Sequence, residues 1–340
     1  MRFFYFVQML IFVAAGWNVA SAESIQQKIA ALAASEGEHG VVSGKDGWLF
    51  LKEEIEHLGS TAFFGQEVLK TSKSAKPEFA DPLPAIVDFA AQLKERGIQL
   101  VFVPIPPKAL LYPDKLPGNF TQEMRPELSR PYDSLYSELS KNGVQVLDLI
   151  PIFRDARETV QVYCKTDTHY SGDGLALVAD ELTRIIKENE WYPAIPKQEY
   201  KSEKREIDIL GDLAVMEKID TKETLSLQFV SDTATSKPGV SDPDSPVLLL
   251  GDSHTLVFSV GGDLHTTAAG LFDQLSADLG FPVDLLGVRG SGATPSRIKL
   301  YQRSRKDPAF LDKKKIVIWC LSARELTGSG GWRKIPVAKK

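Results

Sequence analysis

Two short stretches of the chain carry residue types suited to nucleophilic chemistry. In the first, the apolar run 247–250 stops at Gly251 and is followed by Asp252-Ser253-His254. Such a run predicts a buried strand, and a serine delivered at the C-terminal end of a strand suits nucleophilic catalysis on an α/β sheet. Gly251 is expected to let the backbone turn, with the amides after it facing a developing oxyanion. Taken alone, Gly-Asp-Ser is equally an ordinary polar turn at a strand end. The second stretch, Asp167-Thr168-His169, supplies what the first lacks. A carboxylate two residues from an imidazole on a loop can hold Nδ1, fix the tautomer and leave Nε2 free to accept a proton. Ser253, His169 and Asp167 are therefore the candidate nucleophile, base and orienting carboxylate. The competing readings of the second stretch are a helix-capping loop and a pair of metal ligands. No cluster of Cys, His or carboxylate stands beside it at ligand spacing, so neither a metal nor a cofactor is expected.

The elements that must position these residues follow from periodicity and punctuation. Lys45-Asp46-Gly47 between two apolar runs predicts a hairpin with Trp48 as a core aromatic. Asp81 and Pro82 open a helix that ends at Gly97, a strand follows over 98–103, and a proline-rich loop leads to Lys108. The pattern then repeats, with a helix over 125–142 and a strand over 144–150. Helix followed by strand, twice, predicts an α/β fold with a mostly parallel central sheet. Ser171 or Asp173 caps a long amphipathic helix directly after His169. Residues 193–246 are polar and are expected to leave the sheet as an excursion of the same domain. After Ser253 the chain predicts a helix over 264–279, a strand over 283–288, and the turn Arg289-Gly290-Ser291-Gly292-Ala293. That turn, with Thr294 capping the next helix, can present amides to an anion or oxyanion. The helix over 296–305 is basic and reads as a solvated face. A last strand over 316–321 leads to Arg324, and residues 327–340 read as a flexible tail. Ligands in open α/β sheets sit outside the carboxyl ends of strands, which makes Gly251, Gly290, Gly292, Arg289, Arg324 and Lys108 candidate oxyanion or substrate-binding residues.

The chain has 340 residues, with 43% hydrophobic and 25% charged, an ordinary globular composition. A formal net charge of −5, without a dense basic run, argues against nucleic-acid binding. Met1-Arg2, the apolar stretch to Trp17 and Ala20-Ser21-Ala22 match a signal peptide over residues 1–22; an uncleaved membrane anchor is the alternative. Either reading exports residues 23–326 as a single domain. Cys164 and Cys320 are either bridged or two buried thiols.

These residues together resemble the alginate O-acetyltransferases of the AlgJ and AlgX group. The resemblance rests on Gly-Asp-Ser at a strand end with an Asp-x-His loop upstream of it. It extends through Gly44-Lys45-Asp46-Gly47-Trp48-Leu49-Phe50, Val103 to Lys108, Tyr112-Pro113-Asp114-Lys115-Leu116-Pro117, and Arg289-Gly290-Ser291-Gly292-Ala293. It implies an SGNH-hydrolase-like three-layer fold, circularly permuted, that transfers acetyl to hydroxyls of an exported polysaccharide in the periplasm. It also implies a membrane-bound O-acyltransferase partner as the source of acetyl; inner-membrane association through the N-terminus would follow from the anchor alternative. Under it Ser253 is acetylated, His169 is the base and Asp167 its partner, with the Ser253 amide and the 290–292 turn as oxyanion donors. No Gly-x-Asn block like that of secreted SGNH esterases is present. The readings that compete with it are a carbohydrate acetylesterase and a non-catalytic scaffold of a polysaccharide secretion complex.

Overall fold

In the computed structural model, which describes residues 24–35, 39–328 and 330–339, five strands form one wholly parallel sheet. They are β3 (Gln99–Ile105), β4 (Gln145–Val146), β7 (Val247–Gly251), β8 (Asp284–Gly287) and β9 (Ile316–Ser322), in the order β4-β3-β9-β7-β8. The central strands β7 and β9 are buried at every residue, which is why they read as unbroken apolar runs. Two antiparallel ribbons complete the strands: β1 (Val41–Ser43) with β2 (Leu49–Leu51), and β5 (Tyr200–Ile209) with β6 (Glu223–Asp232). The first is the expected hairpin, with Asp46 at φ 55 and Gly47 at φ 78 and Trp48 buried against Tyr112.

Helices cover the sheet through stripes spaced at three and four residues. Helix Leu83–Lys94 buries Ile86, Phe89 and Leu93, and Phe89 meets Trp319 of β9 edge to face. Helix Arg125–Lys141 buries Leu128, Tyr132, Leu135 and Leu139. Helix Gly172–Lys187 is capped by Ser171, whose Oγ accepts the Gly174 amide at 3.2 Å.

Several elements differ from expectation. The strand expected over 144–150 is only Gln145–Val146, because Asp148 Oδ1 accepts the Ile150 amide and starts a short helix there. The helix expected over 264–279 covers Leu271–Leu279 alone. The preceding loop carries Phe258, His265 and Ala268 at positive φ, which no helix tolerates. Helix Thr294–Lys306 is not simply a solvated face: Arg297 is buried and stacks on Trp319 and Trp332. The 327–340 tail is not frayed over its described part. Trp332 and Val337 are buried, Trp332 Nε1 donates to the Glu325 carbonyl, and Ser304 Oγ donates to that of Val337. The polar 193–246 segment is ordered as the β5–β6 ribbon. Both cysteines are free and buried. The 1–22 leader lies outside the described residues; among the described helices none is long and apolar enough to cross a membrane.

Candidate active site

The carboxyl edge of the sheet gathers the chemistry. Strand β7 ends at Gly251, and the next turn, Ser253–Thr255, begins with Asp252 accepting the His254 amide at 2.9 Å. Gly251 is needed for closeness, not for turning. A Cβ there would stand 1.8 Å from the Cys320 carbonyl oxygen of β9, so only glycine lets the two strands meet. Asp252 Oδ2 also accepts the Ser322 amide at 2.7 Å, tying the ends of β7 and β9 together. Burial pushes Asp252 up, but His254, the Ser322 amide and Arg324 outweigh it and hold it at about 2.

His169 comes to this edge from the loop before helix Gly172–Lys187. Its Nε2 lies 2.8 Å from Ser253 Oγ and its Nδ1 2.7 Å from Asp167 Oδ1. Sequence spacing thus identified three residues that the fold joins in one hydrogen-bonded line. Burial is the largest influence on His169 and lowers its pKa; the charge and hydrogen bond of Asp167, with Asp212 and Asp252 behind, outweigh it and raise the value. For Asp167, burial pulls upward while His169 and His265 hold it well below the usual carboxylate range. An imidazole hydrogen-bonded to an ionised carboxylate can take the proton of Ser253.

The loop around His169 is held from three sides, none of them evident in the sequence. Asp212, in the connection between β5 and β6, accepts the Thr168 amide at 2.8 Å on Oδ1 and the Thr168 hydroxyl on Oδ2. Glu223, the first residue of β6, accepts the amides of Lys165 and Thr166 at 2.8 and 2.9 Å. His265 Nε2 donates to Asp167 Oδ2 at 2.8 Å. Asp167, His169 and Asp212 also bring one ligand atom each within 4.8 Å of one another. Their oxygens and Nδ1 already serve hydrogen bonds, so the trio is arranged as a network.

Lys108 corrects an expectation. It is fully buried, and its ammonium donates to the carbonyls of Leu49, Cys164, Lys165 and Asp167 at 2.6–3.2 Å. It therefore faces no substrate; it clamps the Asp167 loop from beneath. Burial lowers its pKa, against the pull of nearby acids. Arg289 is half exposed and pairs with Asp263. Arg324 lies just past β9 and pairs with Glu54 at 3.2 Å, with Glu53 at 4.0 Å. Gly290, at φ 85, makes the turn after β8, and a Cβ on Gly292 would stand 2.9 Å from the Asp252 amide nitrogen. This glycine turn therefore packs directly against the segment that carries Ser253. Among the described residues the amides of Ser253 and of 290–292 donate no hydrogen bond. A polar cleft of about 300 Å³ runs beside the turn, bordered by Glu53, Glu56, Lys73, Gly290, Arg324 and Glu325. Burial lifts Glu325 to about 7, against the Ser291 hydroxyl that donates to it.

A parallel sheet with a serine, an imidazole and a carboxylate in line at its carboxyl edge is an α/β arrangement suited to acyl transfer, and the comparisons with known proteins make it an SGNH-hydrolase-like fold. The solved O-acetyltransferase domain of Pseudomonas putida AlgJ superposes with a TM-score of 0.63 at 20% identity, covering 85% of this chain and 92% of that one. Pseudomonas aeruginosa AlgX superposes at 0.59 with 17% identity, covering 88% and 67%. A family model, the SGNH hydrolase-like domain of acetyltransferase AlgX, matches residues 41–323, and the chain belongs to that family. Among curated relatives, the probable alginate O-acetylase AlgJ of Pseudomonas aeruginosa is 33% identical over 157 residues, 45% of this chain and 34% of that protein. That of Pseudomonas fluorescens is 25% identical over 232 residues, 65% and 55%. The matched segments thus span from a third to just over half of these relatives.

Proposed function

We propose that this chain is a periplasmic O-acetyltransferase that moves acetyl to hydroxyls of an exported, alginate-like polysaccharide through an acetyl-serine. The observation that carries the reading is the unbroken line from Asp167 Oδ1 through His169 to Ser253 Oγ, at 2.7 and 2.8 Å. Ser253 Oγ attacks the donor's acetyl carbon while its proton passes to His169 Nε2. The oxyanion is received by the Ser253 amide and the 290–292 turn, and on collapse the leaving group departs with the proton from His169. A sugar hydroxyl then gives its proton to the same nitrogen and attacks the acetyl carbon. The new ester forms, and Ser253 regains its proton. Asp167 stays ionised throughout and orients the ring.

Export of the chain, a membrane-bound O-acyltransferase as the acetyl source and association with the inner membrane belong to this proposal. They rest on the leader pattern and on kinship with the alginate O-acetylases. An acetylesterase would form the same acyl-serine and differ only in letting water take the acetyl group. The discriminating experiment follows labelled acetyl from an activated ester, with and without oligosaccharides. The transferase reading predicts label on sugar, in proportion to acceptor, and slow release of free acetate without it. Acetate release that ignores the acceptor would make the chain an esterase.

A further inference from the structure

Asp167 receives four hydrogen bonds, and their symmetry singles out a residue the triad does not require. Oδ1 takes the His169 amide at 3.0 Å and the His169 ring at 2.7 Å; Oδ2 takes the Asp212 amide at 2.9 Å and the His265 ring at 2.8 Å. Held ionised, the Asp167 carboxylate is acceptor-only, so His265 donates Nε2–H and its tautomer is set by the contact. His265 sits in the loop that follows the nucleophile, at φ 72 and ψ −80. That conformation is strained for a side chain with a Cβ and persists only where surrounding contacts over-determine it. Phe258, on whose ring His265 packs with centroids 5.7 Å apart, is also at positive φ. The loop is bent out of the helix its sequence predicts, and the bend brings one imidazole to the triad carboxylate.

We propose that His265 is a positioning residue of the triad, fixing Asp167 through Oδ2 and tying the loop after Ser253 to the loop that carries His169. The proposal rests on the acyl-transfer reading of the same site. Its consequence is electrostatic as well as geometric. A donor on Oδ2 withdraws charge from the carboxylate, so Asp167 holds the proton on His169 less tightly. More of His169 is then neutral near neutral pH and able to act as base. The other groups facing this pair stay constant in the comparison. Asp212 lies beside Asp167, and Lys108 Nζ sits on the Asp167 carbonyl; Asp252 and His254 flank His169 from the Ser253 side. Asp263, on the His265 loop itself, is engaged by Arg289.

The test compares the full chain with His265→Phe, which keeps an aromatic ring against Phe258 but cannot donate, and His265→Gln, which restores an N–H donor. His169 is titrated directly by NMR on histidine-labelled protein, and acylation by an activated acetyl ester is timed from pH 5 to pH 9. In His265→Phe we expect His169 to titrate at higher pH, the acid limb of acylation to move the same way, and the rate at pH 6 to fall about three- to tenfold. His265→Gln should return both to native. A Phe variant whose His169 titration and acid limb coincide with native would overturn the proposal, as would a uniform loss of rate without a shift. If the Phe variant fails to fold, His265→Leu takes its place under the same two outcomes, a titration displaced to higher pH supporting the role and a native one overturning it. Should the native chain take no acetyl at all, the acyl-transfer reading fails, while the NMR titration still decides whether His265 acts on the triad.

Discussion

At the scale of single residues, the working form of His169 is the neutral imidazole, and its surroundings oppose that form. Its pKa lies above the ordinary 6.5 because the Asp167 carboxylate and more distant acids outweigh the effect of burial. Activity that needs a neutral base must therefore rise with pH through a midpoint above 6.5, measurable as the acid limb of acylation rate against pH. For stability the sign is opposite. A raised folded-state value favours the protonated ring, so this contribution is whole below 6.5 and is lost as pH rises through the folded value. Activity and this part of stability should thus move in opposite directions across the same window. Asp167→Asn removes the charge and reverses the hydrogen-bond polarity that fixes the tautomer. The expected loss is about 10³–10⁴ in acylation rate, with a lower melting temperature as well, since the new amide NH2 must face donors that the carboxylate accepted; a loss of rate below tenfold would remove Asp167 from the mechanism.

At the scale of elements, the loop 165–169 is built from outside itself. Lys108, after β3, holds it through the carbonyls of Cys164, Lys165 and Asp167, and Asp212 and Glu223 of the β5–β6 region hold its amides. Lys108→Met keeps the stem but leaves these carbonyls without their buried donor. The expected cost is about 3 kcal/mol or more, read as a lower denaturation midpoint together with lost acylation. An unchanged midpoint would contradict the clamp. These contacts also explain what the sequence concealed. Ser253, Asp167 and His169 were legible because each sits at a strand or helix boundary with a local signature. Lys108 was visible as a residue but not as a buried one, since nothing nearby announces that four carbonyls, from β2 and from the 164–167 segment, converge on it. His265 was hidden for a stronger reason. Apolar spacing over 264–279 fits a helix, and it is tertiary contacts, His265 on Asp167 and the Ala268 carbonyl on the Val230 amide among them, that accompany positive φ in its first part. The parallel strands were readable because burial on both faces leaves continuous apolar runs; β4 is short where Asp148 accepts the Ile150 amide and the chain turns into a helix.

For the molecule as a whole, the sheet's carboxyl edge is completed by chain from both ends of the sequence. The β1–β2 hairpin leads to Glu54, which pairs with Arg324, and the described C-terminal segment seals the base of helix Thr294–Lys306. There Trp332 packs edge to face on Trp319, centroids 5.7 Å apart, with Arg297 stacked on both. Trp332→Ala would open a cavity beside a buried guanidinium and is expected to cost about 3–5 kcal/mol, with His169 and Ser253 chemistry retained in the fraction that stays folded. A melt indistinguishable from native would show that the segment does not contribute to the core. The central claim is that Ser253 is acetylated through His169. Its most direct test is the intact mass of the protein after brief exposure to an activated acetyl ester, run beside Ser253→Ala and His169→Ala. The native chain should gain one acetyl group, lose it again when a sugar acceptor is added, and show no gain in either variant. An adduct that survives in Ser253→Ala, or a native chain that stays unmodified with every donor, would contradict the account.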